Sequence, residues 1–325
     1  MYSWKDKSKR FFARKVISYF EKNYKRKKRK SNGERPVKLH YDIMMFFRKF
    51  FARYEVKFEF RHPFNTDYLV KLCVDLCENN QQWFFRLQEN YDKNEIKILS
   101  EELKFTDEFI DVGANVGFYT VSLGLLYPDK KVISCEPLPK NYDFLKKNIL
   151  LNRLNNVEVL HTAVSTQTEP LEFYVNPIHD GGGSLIKPEV YKTGDVEINV
   201  EEYKKANQEF KETIKVDCAR LDQLVTKKSI LKIDVEGAEL FVLESGSAVF
   251  KKGLIPVLLV EVLRSNMEET LTFLRKYNYA IFKLPNLEVI DEQFDLESLD
   301  WFVLNLICVQ FDSPSHARML ERIRG

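Results

Sequence analysis

Three short segments of this sequence place chemically capable residues at the ends of apolar runs. Phe109-Ile110-Asp111-Val112-Gly113-Ala114-Asn115-Val116-Gly117 leads from a strand into a turn of small residues and opens a helix. Glycines at 113 and 117 leave room for backbone to approach a ligand, because no Cβ stands in the way. One strand later comes Glu136, placed to accept hydrogen bonds from both hydroxyls of a ribose. The third segment is the strand Ile230 to Asp234 with Val235-Glu236-Gly237 after it, where two carboxylates two residues apart point the same way in extended chain. Such a pair raises one pKa and leaves one carboxylate as a base. The competing reading has Asp234 orienting the loop or binding a cofactor amino group, with Glu236 capping the next helix.

The turn and Glu136 fit a nucleoside cofactor, either a dinucleotide or S-adenosyl-L-methionine. A dinucleotide needs GxGxxG spacing so that pyrophosphate can rest on a helix N-terminus. Here the spacing is Gly-x-x-x-Gly, and Asp111 precedes the first glycine. A carboxylate aimed at the turn repels pyrophosphate and suits the ammonium of a methionine moiety, so the methyl donor is expected. Methyl transfer to a hydroxyl then needs alignment and a base. The candidate bases are Asp234, Glu236, Glu261 and His179, the last preceding the loop Asp180-Gly181-Gly182-Gly183-Ser184. That loop lacks the GKS or GKT sequel of a P-loop. Asp234 and Glu236 leave a divalent metal open, although no clustered histidines accompany them.

The elements that must position these groups alternate. Strands are expected at Phe109 to Val112, Lys131 to Cys135, Val157 to His161, Ile230 to Asp234, Val257 to Val262, Ala280 to Leu284 and Trp301 to Phe311. Helices fall at Gly117 to Leu126, Asn141 to Leu151, Ala238 to Ser245 and Met267 to Tyr277. That order is the pattern of βαβ units around a parallel sheet. Residues 1–95 read as a basic, aromatic-rich, mainly helical N-terminal extension, residues 96–311 as the catalytic domain, and residues 312–325 as a C-terminal tail. Within the extension, Tyr68 to Gln88 reads as helix, and Leu39 to Tyr54 is too apolar to stay in water alone.

Charge divides the chain sharply. Residues 1–53 hold 18 Lys and Arg against 4 Asp and Glu, and the remainder holds 32 against 44, within a net charge of only +2. The basic arm has helical apolar spacing at Phe12, Val16, Tyr19 and Phe20, which suits an anionic membrane surface with those four side chains buried in lipid. Nucleic acid is the less favoured partner for the arm, because its periodicity fits a surface-lying helix better than single-strand stacking. No apolar run approaches the roughly 20 residues of a membrane span, and no secretory h-region is apparent. Five cysteines without paired CxxC spacing read as reduced thiols, giving a cytoplasmic protein, peripheral at a membrane.

The segments FIDVGANVGFYT (109–120), CEPLPKNYDFLKKNILLN (135–152), AVS (163–165), GGGS (181–184), VDCARLDQLV (216–225), LKIDVEGAELFVLESG (231–246) and VLLVEV (257–262) together resemble the FkbM family of S-adenosylmethionine-dependent methyltransferases. The resemblance implies a class I methyltransferase fold, α/β and Rossmann-like, with a mixed seven-stranded sheet ending in an antiparallel strand. It implies that Asp111, Gly113, Ala114, Asn115 and Gly117 surround the methionine part of the cofactor. Glu136 and Pro137 would hold the ribose, Ala163 and Val164 would border the adenine, and Ser184 and Glu261 would meet the acceptor. Asn141 either fixes the loop beneath the cofactor or caps the helix it opens. The implied activity is O-methylation of a sugar or glycan hydroxyl. The rival readings are a ribose methyltransferase acting on nucleic acid and a non-catalytic scaffold retaining the fold.

Overall fold

The computed structural model describes residues 4–28, 37–175, 183–186, 213–295 and 303–324. The N-terminal part holds helices α1 (Trp4–Lys28) and α2 (Val37–Phe50), strands β1 (Glu55–Arg61) and β2 (Leu69–Asp75), and helices α3 (Asn79–Leu87) and α4 (Lys93–Glu102). The body follows with β3 (Glu108–Val112), α5 (Phe118–Leu126), β4 (Lys131–Cys135), α6 (Pro139–Asn152) and β5 (Val157–Leu160). Short strands β6 (Ala163–Val164), β7 (Leu171–Tyr174), β8 (Thr213–Val216) and β9 (Cys218–Ala219) precede helix α7 (Leu221–Leu224). Strand β10 (Ser229–Ile233), helices α8 (Glu239–Ser245) and α9 (Ser247–Lys251), β11 (Val257–Leu263) and α10 (Met267–Lys276) come next. The chain closes with β12 (Tyr279–Lys283), β13 (Glu288–Val289), β14 (Val303–Gln310) and α11 (Pro314–Arg324).

The main sheet has the order β13-β12-β14-β11-β10-β3-β4-β5. β5, β4, β3, β10 and β11 run parallel, and β14 inserts antiparallel between β11 and β12. This is the class I methyltransferase order with one addition. The sheet has eight strands where seven are expected, because the two-residue β13 pairs back on β12 at the edge. Its central strands read as continuous apolar runs because helices cover both faces. Strand order reverses at β3, so a crevice opens between the ends of β3, β4 and β10.

Residues 69–75 form a strand where helical spacing is expected. β2 pairs with β1 over seven residues, from Glu55 opposite Asp75 to Arg61 opposite Leu69. Val70, Leu72 and Val74 alternate inward and win over the weaker helical pattern. The N-terminal part is therefore a helix pair, a hairpin and two further helices, and it shares one hydrophobic core with β3, α5 and β4. The expected boundary at residue 95 falls inside α4.

The free edge of β2 is closed by side chains of α6. The Asn148 amide accepts from the Cys73 N–H (2.6 Å) and donates to the carbonyls of Cys73 (3.1 Å) and Val116 (2.8 Å). Asn152 repeats the arrangement on Lys71. Four helical residues advance about 6 Å and two strand residues about 6.6 Å, so asparagines at i and i+4 match alternate strand residues.

The apolar face of α1 is turned into the protein. Ala13 and Ile17 are buried, Phe12 meets the rings of Phe47, Phe51 and Tyr54, and Phe20 meets Phe46. Val16 and Phe20 are thus packed against the protein core, which corrects their placement in lipid, whereas Phe12 keeps 41% of its surface exposed beside its ring contacts. At the other end, residues 314–324 are a docked helix and not a tail. Met319 is buried, Arg318 Nε donates to the buried Glu102 carboxylate (2.7 Å), and Ser315 Oγ donates to the same group (2.8 Å).

Replacing Asn148 with Ala leaves two carbonyls and an amide unpaired in a buried position, at about 1–3 kcal/mol each before water compensates. Urea unfolding of Asn148→Ala is expected to show a loss of roughly 3 kcal/mol in a single transition, since hairpin and body share a core. A separate early transition for the N-terminal part would contradict that coupling.

Candidate functional site

The crevice is built from three strand ends laced together by backbone. The Gly113 and Ala114 N–H groups donate to the Cys135 carbonyl (both 3.0 Å), and the Asp234 N–H donates to the Val112 carbonyl (3.1 Å). Gly113 has φ +77°, and a Cβ there would lie 1.8 Å from the Asp234 carbonyl oxygen. Gly117 has φ +87°, and its Cβ would lie 2.5 Å from the Leu145 side chain. Gly113 is thus required by the neighbouring Asp234 backbone and Gly117 by its left-handed φ and the Leu145 side chain; Gly113 also lines the cleft, and Gly117 is not among the cleft's lining residues.

Behind the turn lies a buried ion cluster centred on Lys232. Its ammonium donates to the Gly113 carbonyl (2.9 Å) and sits 3.4 Å from Asp111 Oδ1 and 3.3 Å from Asp234 Oδ2. Burial opposes the charge on Lys232, but Asp234 and Asp111 more than offset it and hold the ammonium above its ordinary value. Asp111 is fully buried and accepts a hydrogen bond from Thr120 Oγ1 (2.7 Å). It points into the α5 side of the sheet and is not among the cleft's lining residues, which corrects its assignment to the ligand-facing turn.

In front of the turn is a cleft open to solvent, whose empty space counted together with that open solvent is about 620 Å³. Gly113, Asn115, Glu136, Pro137, Asn141, Ala163, Val164, Asp234 and Glu236 line it as the sequence suggests. Leu138, Phe173 and Leu185 add apolar wall. Glu136 organises the floor: Oε2 accepts from the Asn115 N–H (2.8 Å) and Oε1 from the Leu138 N–H (2.9 Å). Burial pushes its carboxyl up to about 7 despite those two bonds. Each oxygen keeps a lone pair for an incoming hydroxyl. Asn115 has φ +51°, and its buried Oδ1 has no partner.

Asn141 is the third residue of α6, whose N-cap is Leu138, so the capping reading falls away. Glu236, at φ +53°, does not cap α8 either, because Ala238 holds that position and Glu239 accepts from the Gly237 N–H (2.8 Å). Ala114 packs against Leu145 and Ile149, away from the cleft. Ser184 is buried, its backbone pairs with Tyr174, and its hydroxyl accepts from the Ile186 N–H (3.1 Å), so it is a structural turn residue and the acceptor expectation for it fails. His179 lies outside the described residues.

Glu261 lies in a second cavity that Asp234 also lines, together with Tyr91, Asp92, Tyr119, Lys232, Ile233, Leu259 and Asn305. Oxygens of Asp234, Glu236 and Glu261 come within 4.8 Å of one another. Burial, with Asp234 and Glu236 close by, pushes Glu261 well above the carboxylate range. The chain's own Lys232 ammonium already serves this cluster as counter-ion. Lys232 was visible in the sequence as the one charge in the strand Ser229-Ile230-Leu231-Lys232-Ile233, a pattern that marks a buried partner. Asp92 carried no comparable signal, since it stands in no motif, and Tyr119, although inside the segment 109–120, stands past its small-residue turn.

The Methyltransferase FkbM domain matches residues 111–281. Methyltransferase sdnD of Sordaria araneosa is 30% identical over 151 residues, covering 42% of this chain and 58% of that protein. Methyltransferase 1 of Beauveria bassiana is 27% identical over 146 residues, covering 42% and 57%. The chain thus spans less than three-fifths of the length of these two relatives. Among solved structures, a precorrin-6y C5,15-methyltransferase from Geobacter metallireducens is similar at 11% identity and a TM-score of 0.36, covering 67% of this chain and 89% of that one. A ribosomal protein L11 methylase from Lactobacillus delbrueckii subsp. bulgaricus is 9% identical with a TM-score of 0.37, covering 69% and 79%.

Glu136 carries a pH signature. Its folded pKa of about 7 exceeds its ordinary 4.5, so the folded state holds this proton more tightly than the unfolded chain does. That stabilisation is complete below the unfolded value and is lost as pH rises through about 7. Thermal unfolding of the ligand-free protein is expected to show wild type losing stability relative to Glu136→Gln between those limits and tracking it above them. A constant difference across the range would contradict the buried, ligand-ready carboxylate.

Proposed function

The chain belongs to the FkbM methyltransferase family, and from that membership we propose an S-adenosylmethionine-dependent O-methyltransferase acting on a hydroxyl of a sugar, glycan or glycosylated natural product. The observation that carries the donor reading is the Glu136 carboxylate, buried at the end of β4 in a cleft that Asn115, with its orphaned Oδ1, also lines. The residues present fit the donor. Glu136 accepts the ribose hydroxyls while continuing to hold two backbone amides, and Asn115 Oδ1 accepts from the methionine ammonium. Leu138, Ala163, Val164 and Phe173 provide apolar surface for a base. When bound, the donor supplies a methyl group on a cationic sulfur. A hydroxyl acceptor needs a base to become nucleophilic, and the carboxylates of the second cavity stand beside the cleft.

The test is transfer of labelled methyl from the donor into separate glycan, RNA and protein pools. Label in the glycan pool is expected, and it should fall sharply in Glu136→Ala, which loses about 1.5–3 kcal/mol per hydroxyl bond. Label in RNA alone would replace the acceptor reading with the ribose alternative.

We further propose that the N-terminal helices meet an anionic membrane from the cytoplasmic side. No helix among the described residues is long and apolar enough to cross a membrane. On α1, Lys7, Phe11, Lys15 and Tyr19 recur every four residues on an exposed stripe, with Phe11 61% and Tyr19 65% exposed. Lys15 Nζ lies 4.6 Å from the Phe11 ring centre, and Phe50 of α2 is also exposed. Rings insert at the headgroup level while each nearby cation contributes about 1 kcal/mol against anionic lipid. Phe11→Ala/Tyr19→Ala is expected to lose most sedimentation with phosphatidylserine-containing vesicles, more so at higher salt. Equal sedimentation of variant and wild type would refute this surface.

A further inference from the structure

Asp234 lines both the second cavity and the cofactor cleft, so the two lie side by side. The cavity's remaining walls come from β10, β11, β14, from Tyr119 of α5 and from Tyr91 and Asp92, which precede residues 111–281 and thus the family match. Asp92 sits at the N-cap of α4, a position where an aspartate ordinarily accepts from the helix's own N–H groups. Here it makes no such cap. Its backbone is left-handed at φ +42°, an unfavourable state for a non-glycine residue, and its carboxylate instead accepts from the Tyr119 hydroxyl (2.8 Å). The carboxylate is thereby directed at the cavity instead of at its own helix.

We propose that this second cavity holds the acceptor hydroxyl and that Asp92 takes its proton. The inference rests on the methyl-donor reading given above. Carboxyl groups dominate the cavity: Asp92, Asp234 and Glu261, the last held well above the carboxylate range, face one cation, Lys232, which is already shared with Asp111. Such a lining takes a hydroxyl or other donor group and rejects an anion. In the step itself the acceptor proton passes to the Asp92 carboxylate as the acceptor oxygen forms the new C–O bond. The methyl–sulfur bond breaks with its electron pair retained on sulfur, leaving a neutral thioether, and Asp92 later releases the proton to solvent.

The groups around Asp92 suit that task. Burial, then Glu95 on α4 and Asp234 on β10, raise its carboxyl to about 7, while the Tyr119 hydroxyl on α5 and the Lys232 ammonium oppose the rise. Glu261 on β11 and the Tyr91 hydroxyl complete its surroundings. A base poised near neutrality is ionised in half or more of the molecules at working pH yet still binds a proton well.

Sinefungin tests this without a known acceptor, because it carries an ammonium-bearing carbon where the donor carries its methylated sulfur. Calorimetry with sinefungin and S-adenosylhomocysteine is expected to show sinefungin favoured about tenfold at about pH 8, with the preference shrinking by about pH 6 as Asp92 protonates. Asp92→Asn should abolish the pH dependence of that ratio while leaving homocysteine-product affinity within about twofold. If Asp92→Asn does not fold, Tyr119→Phe carries the test, since loss of its hydroxyl should move the midpoint of the ratio to higher pH. A wild-type ratio and midpoint in whichever variant folds would overturn the role of Asp92. Failure of the wild type to bind either compound would instead overturn the donor reading itself.

Discussion

The buried ammonium of Lys232 is the constraint on which the arrangement of this site depends. It rises from the middle of the sheet, bonds to the Gly113 carbonyl, and lies between Asp111 on β3 and Asp234 beyond β10. Lys232 and Asp111 are buried while Asp234 is partly exposed to the cleft, and removing either carboxylate leaves the buried ammonium short of a partner. That requirement fixes the ends of β3 and β10 against each other. Gly113 then has to be glycine, since the Asp234 carbonyl occupies the position its Cβ would take. The crevice in front of the turn and the cavity behind Asp234 are two sides of this one cluster.

The N-terminal part contributes to the same end. By pairing its β2 edge with Asn148 and Asn152, α6 locks the hairpin to the body. α3 and α4 follow from the hairpin and bring Asn80 to the cleft and Tyr91 and Asp92 to the second cavity. α4 is anchored at its far end by the buried Glu102, which Arg318 and Ser315 of α11 satisfy. The C-terminal helix thus braces the far end of the helix that begins at Asp92.

Much of the body was legible in sequence because its signals are local and repeated. Strand runs such as Ile230 to Ile233 are apolar on both faces, and small-residue turns follow them. The cleft residues Glu136 and Asp234 could be read because each sits at the end of such a strand. Contacts between distant segments were not legible. Asp111 and Asp234 look alike in sequence, and only the position of Lys232 shows that one faces the core and the other the cleft. The glycines were read as serving a ligand alone, when both also meet neighbouring chain and only Gly113 lines the cleft. The β1-β2 hairpin was missed because the expected helical spacing of Tyr68 to Gln88 ran across an alternating segment, and Asp92 because its role arises from a Tyr119 hydroxyl 27 residues away. Ser184, in a glycine-rich loop that invites a ligand reading, spends its hydroxyl on its own turn.

We propose that one ion cluster aligns a donor cleft with an acceptor cavity across Asp234, and a crystal structure of the complex with S-adenosylhomocysteine decides the matter. The ribose hydroxyls are expected on Glu136 with its bonds to the Asn115 and Leu138 amides retained, and the sulfur beside Asp234, which lines both cavities. A sulfur directed away from Asp234, or a ligand bound elsewhere with Glu136 still engaged only by backbone, would contradict it.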